Sequence, residues 1–253
     1  MNKNVKIAYW SLFGITLILA ILGLVLTKDW GGFLINLSAE LLGTFIIVTI
    51  IILVFEDRKQ EEVKSRLLRE MGSEDNAEAL AAARELKEKG WMADGSLAGK
   101  NFYSANLAGA LLTDANCKQA VFVSANLTKA TLYNANFAEA VLIYADLSGA
   151  SMNGINLTNS RLHRAKLDGA ILVRANFKDS DITDHTLHSA AELRYATLPD
   201  GTKYDGRFRL PAELEMYASF YQDEDTPENW AEFYDISVEE YLEGQAWTDK
   251  NLK

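Results

Sequence analysis

Between residues 95 and 189 the chain repeats itself every five residues, nineteen times without a gap. The third residue of each block is Leu97, Phe102, Leu107, Leu112, Cys117, Phe122, Leu127, Leu132, Phe137, Leu142, Leu147, Met152, Leu157, Leu162, Leu167, Leu172, Phe177, Ile182 or Leu187, all apolar. Two residues earlier thirteen of the nineteen positions are alanine; Gly95, Ser160 and Ser180 are also small, and Lys100, Ile155 and His185 are the exceptions. A period of five fits neither the 3.6 of a helix nor the two of a flat strand. Within a block, however, the small and apolar positions are two apart and share one side of an extended segment. The residues between must turn a corner so that the next pair points inward again. A chain that turns the same way at each corner winds into a solenoid with Leu and Phe on its axis.

A second modulation sets the number of sides. The residue before the central one is Asn or Asp at 106, 116, 126, 136, 146, 156 and 176, whereas the interleaved sites are Leu111, Val121, Thr131, Val141, Ser151, Arg161 and Ile171. A period of ten requires an even number of sides per coil. A square coil of about twenty residues fits, stacked on the next at roughly the strand spacing of 4.8 Å.

The lines Ala105-Asn-Leu-Ala-Gly, Ala125-Asn-Leu-Thr-Lys, Ala135-Asn-Phe-Ala-Glu and Ala145-Asp-Leu-Ser-Gly resemble the pentapeptide-repeat family. The resemblance implies a right-handed quadrilateral β-helix. One extra residue, Ala190, then shifts the frame to Ala191-Glu-Leu-Arg-Tyr and Ala196-Thr-Leu-Pro-Asp. For function the resemblance says less, because a fold hosts many functions.

Ahead of the repeats, residues 7–27 carry no charge and residues 33–55 carry one, Glu40. Each run is long enough to cross a hydrocarbon core of about 30 Å as a helix. Residues 28–32, Lys-Asp-Trp-Gly-Gly, read as a tight loop between them, with Trp30 at the interface. A second span follows and no small-x-small site precedes Lys28, so a transmembrane hairpin over 1–56 is expected rather than a cleaved signal peptide. Lys3 and Lys6 precede the first span and Arg58, Lys59, Lys64, Arg66 and Arg69 follow the second. That bias puts both termini on the cytoplasmic side of a bacterial inner membrane. Glu40 has two readings: an intramembrane ion- or proton-handling group, or a protonated side chain bonded to Ser38 or Thr16.

Residues 57–94 form a charged juxtamembrane helical linker. Asp75 or Ser73 caps a helix that runs to Lys89, with Gly90 at its C-terminal stop. Leu80, Ala83, Leu86 and Trp91 are expected to cover the open first coil, because terminal coils need caps. The β-helix then occupies 95–199. Residues 200–253 are acidic and aromatic-rich, with a helix start at Thr226-Pro227 and a capping box at Ser237-Val-Glu-Glu240. Two or three short helices from Pro211 onward are expected to fold as a cap on the last coil.

The net charge of −10 is not spread evenly. Residues 1–55 carry +1, 56–94 carry −3, 95–199 carry +1 and 200–253 carry −9. Some soluble members of the resembled family act as DNA mimics that modulate gyrase through an acidic flank. A near-neutral solenoid argues against that role, and nucleic acid is not an expected partner. No catalytic constellation emerges, so the chain is not expected to be an enzyme, and neither a metal nor a cofactor is expected. His163, His185 and His188 do not form a zinc motif; in the repeat frame His185 points inward and His188 outward. Cys117 occupies a central position, as a small buried apolar residue would.

The fold class expected is therefore mainly a β solenoid, with an N-terminal two-helix transmembrane hairpin, a juxtamembrane helix and a C-terminal helical cap. The expected function is a non-catalytic scaffold, anchored in the lipid bilayer by its hairpin, that presents a rigid β-helix to a protein partner or to a second copy. The alternatives are the gyrase-directed mimic and an oligomeric membrane conduit built on Glu40. Residues twenty apart lie above one another, so the flanks are readable. Val121, Val123, Val141 and Ile143 form an outward apolar patch, with Tyr103 on the coil before and Arg161, His163 and Arg164 on the coil after. Either a partner docks there, or the helix before the repeats or the acidic tail covers it, or these β-branched residues simply favour extended backbone. The opposite flank, with Asn116, Asn136, Asn156 and Asn176, is expected to be solvated.

Overall fold

A computed structural model describes residues 28–221 and 225–251, together with Ser11, Gly14, Ile15, Leu17, Ile18 and Ile21. Its helices are α1 (Lys28–Met71), α2 (Asn76–Glu88), α3 (Asp184–Leu187), α4 (Pro211–Tyr221), α5 (Pro227–Tyr234) and α6 (Val238–Asn251). The chain divides into two compact units, Met1–Ser65 and Arg66–Lys253.

In the first unit, the span expected over 7–27 falls mostly outside the described residues. The loop expected at 28–32 is helical instead: α1 begins at Lys28. Gly31 and Gly32 lower helix propensity without blocking it, and no proline interrupts the run. Nor does the helix end at the edge of the apolar run near residue 55. The charged segment that follows pairs along one helix face, with Lys64 at 3.5 Å from Glu61 and Arg66 at 3.6 Å from Glu70. Within α1 the stretch Ala39–Met71 is long and apolar enough, by length and composition, to cross a membrane. Its hydroxyls bond back to the helix, Thr44 Oγ1 to the Glu40 carbonyl and Thr49 Oγ1 to the Phe45 carbonyl, so neither donor is left unsatisfied.

The second unit holds the repeats. Parallel bridges join residues twenty apart: Asn101 to Val121 to Val141 to Arg161, Asn106 to Asn126 to Asp146 to Lys166, and Asn116 to Asn136 to Asn156 to Asn176. The square coil of twenty residues is thus the observed one. The sides are isolated bridges between corners; no extended strand forms among the described residues, because each side spends its remaining residues on turning. All nineteen central residues are buried, most of them completely. Phe102 and Phe122 stack with ring centroids 4.9 Å apart, and Phe122 meets Phe137 at 5.1 Å. The alanines at 105–150, with Ile155, Ser160 and the alanines at 165–175, are buried beside them.

Each corner is a turn closed by an N–H three residues on, as Ala105 N–H bonds the Phe102 carbonyl at 3.1 Å. Its third residue is left-handed, the geometry of a type II turn. Gly99, Gly109, Gly149, Gly154 and Gly169 take this position at five corners. The others hold Ser, Asp, Asn, Gln, Glu, Lys, Arg or Tyr at φ of 52° to 62°. Inter-coil bonds overrule the local preference against that conformation.

The asparagine flank differs from the solvated ladder expected. Asn136 Oδ1 accepts from Ala138 N–H at 3.1 Å and from Asn156 Nδ2 at 3.2 Å, and Asn136 Nδ2 donates to Asn116 Oδ1 at 3.5 Å. These amides are half-buried and close the corner as Asx turns while linking coils. Asn136→Ala is expected to cost about 1–2 kcal/mol, read as a lowered denaturant midpoint, since it removes an acceptor from a backbone N–H and breaks the ladder.

Both solenoid ends are capped within this unit. Asp75 accepts from Glu78 N–H and starts α2; Lys89 is the C-cap and Gly90 follows at φ 75°. The Ser73 carbonyl accepts from Asn106 N–H at 2.8 Å, and Asn76 Nδ2 bonds the carbonyls of Asn106 and Ala108. Ala79, Ala82, Ala83, Leu86 and Met92 supply the buried side, whereas Leu80 and Trp91 are only half-buried. At the other end, the extra residue is absorbed along 181–191, where the helical turn α3 replaces an open corner. The bridge spacing steps to twenty-one, Ile171 to Glu192 and Asn176 to Thr197. The turn also swings His185 outward, against the inward position expected from the frame. The chain then reverses at Pro199–Gly201 and pairs Lys203 antiparallel to Thr197, which covers that side of the last coil.

The C-terminal helices start where the sequence signals them. Thr226 caps α5 with Pro227 at its first position, and Ser237 and Glu240 form the reciprocal capping box of α6. Tyr217 and Trp230 stack at 3.5 Å, and Phe233, Tyr234 and Tyr241 surround them.

Candidate interaction surface

The face carrying Val121 and Val141 is flat because parallel bridges hold its columns in register. One column is Asn101, Val121, Val141, Arg161. The residues two further on, Tyr103, Val123, Ile143 and His163, form the second, and the corner supplies Ser104, Ser124, Tyr144 and Arg164. Tyr103 is 59% exposed; Val121, Val123, Val141 and Ile143 are half-exposed; Arg161, His163 and Arg164 are exposed. All eight residues of the patch read from the sequence therefore share one face. Tyr144, which that reading left out, joins them: Arg164 lies over its ring at 5.6 Å and donates to its hydroxyl at 3.1 Å. It could have been found as the residue twenty before Arg164. Leu111 and Tyr133, also exposed, belong to another side of the coil.

Three of the eight acidic side chains between residues 95 and 199 are paired with cations. Glu139 pairs with Lys118 at 3.1 Å, Asp146 with Lys166 at 3.2 Å, and Glu192 with Arg194. Arg161 has no carboxylate partner among the described residues.

Other candidates stand apart. Glu40 is exposed on α1, and the side chains of Ser38 and Thr16, its suggested partners, lie outside the described residues. Cys117 is fully buried, and burial pushes its thiol pKa up, away from reactivity. His188 packs edge-on against Phe208 at 5.6 Å and His163 against Tyr144 at 6.5 Å. Among the described residues no cluster of His, Cys, Asp and Glu could hold a metal ion.

One group escaped the sequence reading. Glu213, in the first turn of α4, is completely buried. Its Oε1 accepts from Leu193 N–H at 2.7 Å, and its Oε2 from the hydroxyls of Tyr204 at 3.2 Å and Tyr234 at 2.9 Å. Burial pushes its pKa up to about 7 against the lowering effect of these donors. In sequence it looks like an ordinary acidic residue at a helix start.

The architecture, square coils of twenty residues joined by parallel bridges, defines a quadrilateral solenoid. A family model for pentapeptide repeats matches in eight copies over residues 101–138, 122–159 and 160–191. By that match, residues 101–191 are a run of pentapeptide repeats. Among solved structures, the chain is similar to the pentapeptide repeat protein Rfr23 from the cyanobacterium Cyanothece 51142, with 30% identity over 36% of this chain and 58% of that one, TM-score 0.33. It is similar to a pentapeptide repeat protein of the Arabidopsis thaliana thylakoid lumen, with 31% identity over 35% of this chain and 65% of that one, TM-score 0.24. A third is HetL, a pentapeptide repeat protein involved in heterocyst differentiation regulation from Nostoc sp. strain PCC 7120, with 28% identity over 43% of this chain and 61% of that one, TM-score 0.25. The chain thus spans less than two thirds of each of these three. A comparison with curated proteins finds no match.

Proposed function

We propose that the chain is a non-catalytic scaffold, anchored in the bacterial cytoplasmic membrane by an N-terminal hairpin, that offers one face of its solenoid to a protein partner. The observation that carries the anchor is the surface of α1. Leu42, Ile46, Ile47, Ile50, Ile51, Leu53, Val54 and Phe55 are all exposed, over most of the circumference of the helix; the remaining side holds the buried Phe45 with half-buried Leu41, Thr49 and Ile52. A helix apolar all round calls for an apolar surrounding, which lipid supplies. Its β-branched run is a weak helix former in water, whereas in lipid the backbone must bond within the segment. The basic residues flanking the apolar runs support both termini on the cytoplasmic side.

The half-exposed Val121–Ile143 face, bordered by exposed Tyr103, Tyr144, Arg161 and Arg164, supports the scaffold role. The mimic reading needs an acidic column to imitate a phosphate backbone, whereas the solenoid carboxylates at 139, 146 and 192 are each paired to a cation. Reporter fusions at Asn2 and Lys253 test the topology together with alkaline extraction of membranes. Both fusions should report cytoplasm and the protein should stay with the lipid. A C-terminus outside the cytoplasm overturns the orientation, and release by alkali overturns the anchor.

A further inference from the structure

Two exposed apolar surfaces of the second unit match each other. One is the face described above. The other is the outward side of α6. The inward side of that helix is tied down: Arg209 donates to Gln245 Oε1 at 2.9 Å and to the Tyr241 hydroxyl at 3.1 Å, and Gln245 Nε2 donates to the Gly206 carbonyl at 3.3 Å. Gly244 packs against Asp205 so closely that a Cβ there would overlap its carboxylate. That leaves Leu242, 50% exposed, and Ala246 at the centre of the outward side, with exposed Glu239, Glu243 and Asp249 around them and Lys250 at the far end.

The two surfaces agree in length and in charge. The face rises three coil steps from Asn101 to Arg161, about 14 Å at the strand spacing. From Glu239 to Asp249 is ten residues, about 15 Å along a helix. An apolar centre with a basic end, Arg161 and Arg164, meets an apolar centre with an acidic rim. Because α6 is held to 205–209 at the end of its own solenoid, it does not reach this face within one copy.

We propose that the occupant of the Val121–Ile143 face is a second copy of this chain, which lays the outward side of its α6 along the coils with Glu239 and Glu243 at Arg161 and Arg164. This rests on the reading of that face as the docking surface. The contact joins two different patches, so it is head-to-tail and propagates into a ring or an open row.

The test uses the full chain in native membranes, with a photo-crosslinking residue at Val123. The expected products start at the mass of two copies and rise by whole copies, with an α6 peptide attached at that position. In detergent, a chain carrying Arg161→Glu and Arg164→Glu, and another carrying Glu239→Arg and Glu243→Arg, should each self-associate at least tenfold more weakly. Mixing the two should restore association. Failure to restore, with both variants folded by circular dichroism, overturns the proposal. An adduct with a different protein overturns self-docking and leaves the scaffold reading standing. No adduct at all from a folded chain overturns both.

Discussion

Leu142→Asp is expected to unfold the solenoid, whereas Val123→Asp on the face above it leaves the fold intact. Leu142 is completely buried on the axis and its N–H donates to the Arg161 carbonyl at 2.7 Å. A carboxylate there loses the packing of a leucine and is desolvated with no cation in reach. Together these cost at least about 4 kcal/mol, a large share of the stability of a domain this size. Each coil rests on its neighbours, so the loss spreads along the stack. Val123 is half-exposed, and its carboxylate variant keeps its hydration, so the change should stay within about 1 kcal/mol. Far-ultraviolet circular dichroism and thermal melts distinguish the two; equal loss in both variants would show that the five-residue frame has been placed wrongly.

The second large effect is a pH dependence centred on Glu213. Its folded-state pKa is raised to about 7 by burial, above the ordinary value of 4.5. The folded state therefore binds the proton more tightly than the unfolded one. The stabilisation is fully present below about pH 4.5, falls as pH rises through about 7, and is absent above that. The difference is on the order of 3 kcal/mol. Glu213→Gln keeps the Oε1 acceptor for Leu193 N–H, turns its amide N–H to the tyrosine hydroxyl oxygens and cannot ionise. Denaturant midpoints of the two proteins between pH 5 and 8.5 should converge at the acid end and separate at the alkaline end, with the glutamine variant the more stable. Parallel curves would mean that Glu213 does not titrate in this range. Glu213→Ala tests the network itself. It leaves a cavity and strips partners from three donors on three segments, so it should destabilise at every pH.

The solenoid was legible because each block obeys the same rule. A residue such as Leu162 is inward whatever its distant surroundings, since its neighbours twenty residues away are copies of its own pattern. The apolar face with Arg161 and Arg164 was legible for the same reason: its columns follow from arithmetic on the sequence. Where the repeat is broken, that arithmetic stops. His185 was placed inward by the frame, and the helical turn at Asp184–Leu187 turned it out. Residues 28–32 carry the composition of a loop, yet continuity with the apolar segment that follows carries them into helix. Leu242 and Glu213 were beyond reach for a different reason. Which side of a short helix faces out is decided by what it packs on, and neither the Arg209–Tyr241 bond nor the Tyr204–Glu213–Tyr234 group has a fixed spacing to reveal it.

The twenty-residue bridge spacing also makes the solenoid a ruler. Removing or adding one full coil shifts the C-terminal helices by one step of about 4.8 Å along the axis and returns every corner to its place. A change of one residue instead turns every later side chain out of register, unless it falls at α3, where the chain already carries an odd residue at no loss of pairing beyond it. The reach of this protein is therefore quantised: selection can lengthen or shorten it in whole steps without redrawing either end.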